Sequence, residues 1–496
     1  MRRLLASLVA AAAVTQAGCS LDLTNPNSPT LAGAAADPRT LTAQMIVGVM
    51  ATYRDNRPDL IRAFGSFGRE TYYMFLTDGR FITGPYRDWQ KNNAFDAGSQ
   101  WAGRYQNYRN AYAAMTLVNS LPTDTTSTPT RLTAAEKAGA FGVLKTFIAL
   151  EMLSVIEARG AIGAVVDMTD DVNAVLPIVS EDSVYKWITA LLDDAKGNLD
   201  TAGTSFYFPM HSGFSAFGVP ANTPAGFGQF NRAIKARVEA KRGSLGCSPS
   251  CYQASLTALG QTWITDLTAF NRDNGVYVIF GTSGGDVLNT ISFATNTSPW
   301  VHPLIDSIPS VALDDRYRRK VDTHETPSTE NDACTTGYSA SRTEVGVTAT
   351  HRPCTYATNI TPIPVIRNEE LVLIRAEARW FTGDTSGALA DLDSVRVNSG
   401  ATRGGTAVVK FPTPANDSEF VEELLLQRTL SLYQEGHRWP DYRRFNRLAE
   451  LGTLAQDVTA GFTVAPYSVL PSQECDSRSR AGNPGGIPRS CPGGPP

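Results

Sequence analysis

Along much of the chain, apolar residues return at the three- and four-residue spacing of amphipathic helices. The clearest case runs from Glu419 to Arg447. There Phe420, Leu424 and Leu432 recur in steps of four, with Val421 and Leu425 beside them, which predicts a helix with one buried stripe. Arg428 falls on that stripe, and a buried guanidinium needs a carboxylate or carbonyl partner. Glu435, two helical turns on, is the expected one. Gly436 and Pro440 then punctuate the pattern around a dense cluster of His437, Arg438, Trp439, Asp441, Arg443 and Arg444. This cluster reads as structural, a clamp on the last helices.

The same periodicity predicts helices near Arg39 to Tyr53, around Tyr105, Tyr108 and Tyr112, and over Ala134 to Arg159, Ser183 to Leu199, Asn231 to Arg242 and Gln253 to Phe270. Phe141, Leu144, Phe147, Ile148 and Ile156 give the third of these a face for close packing, and Glu181 and Asp182 open the fourth as a helix start should. Residues 162 to 166 read as a short turn or extended crossing. Residues 203 to 230 are Gly-, Phe- and Pro-rich and loop-like, and residues 275 to 356 lose periodicity, which predicts short strands and long loops. Beyond them, Arg367 to Phe381 and Ser386 to Val397 fold back around Gly383 as a helix pair of about the 34-residue tetratricopeptide size. Such a pair buries its apolar face only by stacking on other pairs. The expected fold is therefore mainly α, a tetratricopeptide-like scaffold of helical pairs with long loops and a few short strands.

The first residues lack this pattern and read as an address. Arg2 and Arg3 precede an apolar run from Leu4 to Val14, too short for a spanning helix, which needs about 20 apolar residues. Gln16-Ala17-Gly18 then leads to Cys19, the arrangement of a lipoprotein signal cleaved before a lipid-modified cysteine. Ser20 in place of an aspartate after it favours the outer membrane. The expected organisation is a signal peptide over 1–18, an extended tether over 19–38 and one domain over 39–496, with a loop-rich excursion at about 200–360. No later stretch reads as apolar for long enough to span a membrane, so the expected body is soluble and tethered by its N-terminal lipid.

Seven cysteines are an odd number; setting Cys19 aside leaves Cys247, Cys251, Cys334, Cys354, Cys475 and Cys491. They fall into three sequence-local pairs, the natural connectivity for an exported protein, although six cysteines permit about 15 pairings. Cys247 and Cys251 have no second Cys or His pair at zinc spacing, so no metal is expected. A formal net charge of −4, with the arginines of the C-terminal cluster interleaved with acids, gives nucleic acid nothing to hold. No cofactor motif is present.

Candidate chemistry concentrates in aromatics. Tyr86, Trp89 and Trp101 sit among Gly, Asp, Asn and Gln, a mixture suited to loops that stack on a sugar ring or pack beneath their own scaffold. Trp300, in the loop-rich region, joins them as a candidate ligand contact. A competing enzymatic reading rests on Gly281-Thr282-Ser283-Gly284-Gly285, a Gly-x-Ser-x-Gly after a strand-like run, with Ser283 as nucleophile. No long helix or alternating βα pattern follows it, as a nucleophile elbow requires. His211, His302, His324 and His351 are isolated and read as loop residues. A helical scaffold that binds only protein is a third reading.

The helical motifs carry a specific resemblance. Pro364-Val365-Ile366-Arg367, Glu370-Leu371, Ala376-Glu377-Ala378 and Asp393-Ser394-Val395-Arg396 are similar to the SusD/RagB family of outer-membrane nutrient-binding lipoproteins. Arg428, Leu432, Glu435, Gly436, Arg438, Asp441 and Arg444 stand where that family reads Arg-x-x-Glu-Leu-x-x-Glu-Gly-x-Arg-x-x-Asp-Leu-x-Arg, with Ser431 and Tyr442 departing from it and Gln427 replacing a preceding glutamate. The match is thin over most of the chain and good over 364–447. It implies a SusD-like helical fold, no catalysis, and a cell-surface role beside a SusC-type TonB-dependent β-barrel transporter, capturing oligosaccharides or peptides for it. The family's helical motifs carry no ligand residues, so Tyr86, Trp89, Trp101 and Trp300 remain physical candidates only.

Overall fold

A computed structural model describes residues 36–495 except 93–95, 97, 172, 295, 323–333, 335–340 and 401–412. The leader, Cys19, most of the tether, Phe95 and His324 lie outside the described residues. The helices used below are α1 (Pro38–Phe67), α2 (Ala102–Ser120), α3 (Ala134–Arg159), α4 (Glu181–Asp200), α5 (Pro224–Arg242), α6 (Ser250–Leu259), α7 (Asn368–Phe381), α8 (Thr385–Ser399), α9 (Asp417–Ser431), α10 (Arg438–Arg444) and α11 (Ser472–Arg480).

Each of α2 to α6 packs on the next in sequence, and α1 lies against both α2 and α3. The stack then crosses a loop-rich excursion of about a hundred residues: α7 seats directly on α5 and α6, α8 on α7, and α9 on both. This is the mainly α, tetratricopeptide-like scaffold that the helical pattern predicts. Its largest core joins α1 to α6 with Trp439 and the C-terminal cysteines, while a second cluster unites Val372, Leu373, Ala376, Leu392, Phe420 and Leu424 from α7, α8 and α9. Short antiparallel pairs fill the excursion. Strand β1 (Thr71–Tyr73) pairs with β3 (Pro299–Val301), and β2 (Gly275–Val278) pairs with β4 (Ile363–Arg367), whose bulge between Pro364 and Ile366 precedes α7.

Three helices have other bounds than their periodicity suggests. Helix α1 continues past Tyr53 through a polar run because its arginines find partners off the helix: Arg54 on Asp286 at 2.6 Å, Arg62 on Asp96 at 2.6 Å, and Arg57 on the carbonyls of Pro364 and Glu435. Helix α5 begins at Pro224, seven residues early, where Thr223 caps Gly226 N–H and proline fills the first turn. Helix α6 stops at Leu259, and Phe270 is 97% exposed in the loop beyond it. Helix α3, by contrast, is apolar enough by length and composition to cross a membrane, contrary to the expectation that no such stretch exists; 89% of that window is buried inside the protein, so it serves as a core helix.

The C-terminal cluster corrects one pairing. Helix α9 ends at Ser431, and positive φ at Gln434 and Gly436 turns the chain away, so Glu435 leaves the face of Arg428. Arg428 binds Asp441 instead, at 2.6 Å, and Glu435 holds Arg367 at 2.8 Å. Arg438 reaches the carbonyl of Arg69 at 2.7 Å, and Arg444 bridges Asp441 and Glu377. The three pairs of cysteines close as Cys247–Cys251, Cys334–Cys354 and Cys475–Cys491.

Gly436 has φ of +84°, and a Cβ there would stand 2.6 Å from Leu60 Cδ2. Gly436→Ala is therefore expected to cost about 1–2 kcal/mol from the left-handed backbone alone, with more for displacing Leu60. A denaturant midpoint equal to wild type would refute this.

Candidate functional site

The four candidate aromatics are not presented on exposed loops. Tyr86 is fully buried: its hydroxyl donates to Thr71 O at 2.8 Å and the Arg69 guanidinium lies 3.8 Å from its ring centre. Trp89 donates to Thr463 Oγ1 at 3.0 Å and meets Tyr467 edge-on. Trp300 lies in β3 among Tyr72, Ile82 and Phe462. Their polar neighbours in sequence suggested loops, but residues 80–86 form a short helix and Trp300 a paired strand, and both elements turn their rings inward.

Trp101 alone of the four borders a large opening. It precedes α2 and lines a cleft of about 570 Å³ built from three segments: the start of α2, the loop 165–176 and α11. Arg159, the last residue of α3, sits beside Trp101. Its guanidinium donates to Ser99 O at 2.7 Å and Ser468 O at 3.1 Å and lies 5.3 Å from the Trp101 ring centre. Burial pushes it down to about 9, so it is a cation at neutral pH. The Trp101 indole N–H donates to Glu474 Oε2 at 3.3 Å, and Tyr105 packs 4.7 Å from it.

Tyr105 fixes the loop to the helix, since its hydroxyl both donates to Val165 O and accepts from Val165 N, each at 2.9 Å. One turn on, Tyr108 donates to Val166 O at 2.8 Å and Arg109 donates to Thr169 O. Burial raises both tyrosines, so their hydroxyls stay protonated donors. From the third wall Arg478 pairs with Glu474 at 2.7 Å and donates to Leu176 O at 2.9 Å. The result is a floor of Trp101, Tyr105, Val165, Met168, Val175 and Leu176, and a rim of Gln106, Arg109, Asp167, Asn173 and Ser477. An apolar floor with a few placed polar groups is the usual make-up of a small-ligand site.

Helical spacing marked Tyr105 as core, and it is half-buried with one side in the cleft. Sequence reasoning missed Gln106, Arg109, the loop beyond Val166, and all of α11. Nothing local in the sequence links these segments, which meet through contacts such as Tyr105 to Val165, Trp101 to Glu474 and Arg478 to Leu176.

A second opening of about 300 Å³ lies beside β2 and β4, lined by Phe217, Tyr277, Lys320, Tyr356, Arg367 and Glu369. Its charges are already spent: Lys320 on the carbonyls of Leu430 and Ser431, Arg367 on Glu435 and Glu369. Burial lowers Lys320 to about 8. Ser283 stands in an exposed turn, and among the described residues no helix follows it before Pro303. His211 is neutral, lowered to about 4 by burial, and its Nδ1 accepts from Gly213 N–H. Among the described residues no group of three or more His, Cys, Asp or Glu could hold a metal.

A family model described as the SusD family matches residues 202–469. Bacteroides fragilis NanU shares 14% identity at a TM-score of 0.57, over 94% of this chain and 99% of its own. A SusD superfamily protein from Bacteroides vulgatus shares 11% at 0.60, over 88% and 97%. A SusD-like protein from Bacteroides fragilis shares 14% at 0.59, over 83% and 87%. No curated protein matches by sequence.

Proposed function

The chain belongs to the SusD family, and we propose that it is a nutrient-binding protein whose cleft beside Trp101 captures a short oligosaccharide. In this reading it delivers the ligand to a SusC-type TonB-dependent β-barrel transporter, and a lipid on Cys19 holds it to the outer membrane at the cell surface. The cleft carries the proposal. Its floor offers Tyr105 and aliphatic surface to the C–H face of a sugar, and its rim offers Gln106, Arg109, Asp167 and Asn173 to hydroxyls. Trp101 forms the back of that floor, and Tyr86, Trp89 and Trp300 serve the interior. In this reading the protein binds without catalysing, and the turn of Ser283 lacks the strand–turn–helix setting of a nucleophile elbow.

Screening glycan and peptide libraries against the wild type and against Gln106→Ala and Arg109→Ala tests this. Each change is expected to weaken binding of an oligosaccharide about tenfold, roughly 1.4 kcal/mol, with the melting temperature little changed. Capture of peptides alone would reassign the ligand class, and equal affinity in both variants would remove the cleft as the site.

A further inference from the structure

Helix α11 supplies one wall of the cleft, yet it has almost nothing of its own to dock with. Its nine residues, Ser-Gln-Glu-Cys-Asp-Ser-Arg-Ser-Arg, bury only Cys475 and Arg478. A helix this short is marginal alone, and one without an apolar stripe has no face to lay on a core. What seats it is the cystine. Cys475 joins Cys491, with 5.5 Å between their Cα atoms, and both sulfurs lie in the main core. The chain just before the cystine loop and the end of that loop are pinned to the body by one side chain: Asn92 Nδ2 donates to Leu470 O and to Ser490 O, each at 2.9 Å. Leu470 N–H also donates to Ser490 Oγ at 3.1 Å.

From this seat the strap reaches both other walls. Glu474 accepts from the Trp101 indole and from Arg478, and Arg478 donates across the cleft to Leu176 O. The strap starts at residue 470, directly after the family match ends at 469. Helix α2 and the loop 165–176 precede the start of that match at residue 202, so all three walls of the cleft come from segments outside it.

We infer that residues 470–491 form a disulfide-closed strap that sets the width of the cleft and the position of Trp101, and so determines which ligands the cleft accepts. Glu474 and Arg478 are its positioning residues. The inference rests on the assignment of the ligand to this cleft. Its physical content is that affinity depends on the strap while the stability of the helical stack does not.

The test uses the full chain carrying Cys475→Ser with Cys491→Ser, and separately Glu474→Ala, which leaves the cystine intact should the first variant fold poorly. Binding of dye-labelled malto-, cello- and xylo-oligosaccharide pools is measured beside thermal unfolding and acrylamide quenching of tryptophan emission. In both variants the expected result is affinity reduced about tenfold or more, as for loss of a charged hydrogen-bond partner, a changed order of preference among the pools, and stronger quenching as Trp101 loosens. The main melting transition is expected to stay within a few degrees of wild type. Unchanged affinity and preference in both variants, while Arg109→Ala weakens binding, would overturn the strap and leave the cleft standing. Full affinity in Gln106→Ala and Arg109→Ala as well would overturn the cleft assignment, and the strap with it.

Discussion

Arg444→Met is expected to destabilise the protein by about 3–5 kcal/mol, the range for breaking a buried ion pair from one side. Arg444 lies at the crossing of four elements. From α10 it donates through both terminal nitrogens to Glu377 of α7, through Nε to Asp441 at 2.9 Å, and to Ser244 Oγ beyond α5 at 3.0 Å. Glu377 is fully buried, and its other donor is Tyr252 of α6 at 3.2 Å. Methionine fills much of the volume but leaves the Glu377 carboxylate with one neutral hydrogen bond in a dry site. Asp441 keeps Arg428, so that side of the network survives. The double variant Arg444→Met with Glu377→Leu removes both charges and is expected to recover most of the loss, because apolar replacement of a whole buried pair is often neutral or better. Chemical denaturation of the three proteins decides it. A loss below about 1 kcal/mol in the single variant, the scale of a surface pair, would show that Glu377 is reached by water.

This network also shows where the sequence was legible and where it was not. The helical pair α7–α8 and the stripe of α9 were readable because a 3.6-residue period is a local property that burial enforces on every turn. That Arg428 needed a buried partner was readable too, since a guanidinium does not neutralise. Which carboxylate it takes was not, because the choice depends on where α9 stops, and two residues with positive φ decide that. Tyr86, Trp89 and Trp300 failed for a related reason: polar neighbours in sequence describe the segment, whereas the direction of a ring is set by strands and helices from elsewhere. The cleft was the least legible part. Its walls come from residues near 105, 170 and 476, and the contacts that join them, Tyr105 to Val165 and Arg478 to Leu176, span about sixty and three hundred residues. Trp101 was found, but as a ring that could either stack on a sugar or pack beneath its own scaffold, and not as the back of a floor.

Trp439→Ala is expected to cost about 3–5 kcal/mol, the range for large-to-small changes of a buried tryptophan. Trp439 opens α10 and has no exposed surface; its ring stacks on Phe67 at 4.6 Å, meets Phe64 edge-on at 5.3 Å, and donates its indole N–H to Ala465 O at 2.7 Å. The Arg443 guanidinium lies 5.1 Å from its centre and itself donates to Glu157 O at 2.7 Å. Trp439 and Arg443 together thus tie the end of α1, the end of α3 and the 465–469 segment that leads into the strap. Collapse around the void is hindered, because the Gly68 backbone sits so close that even a Cβ there would be 3.2 Å from Trp439 Cβ. Trp439→Phe keeps the stacking on Phe67 but orphans Ala465 O, which separates the two contributions: it is expected to lose about 1–3 kcal/mol, the cost of an unsatisfied buried group with a smaller cavity. Because Ala465 precedes the strap, both variants are expected also to weaken ligand binding, the alanine more than the phenylalanine. Denaturant midpoints together with binding of the oligosaccharide pools measure both effects. A phenylalanine variant as unstable as the alanine one would assign the whole effect to the hydrogen bond and none to the stacked rings.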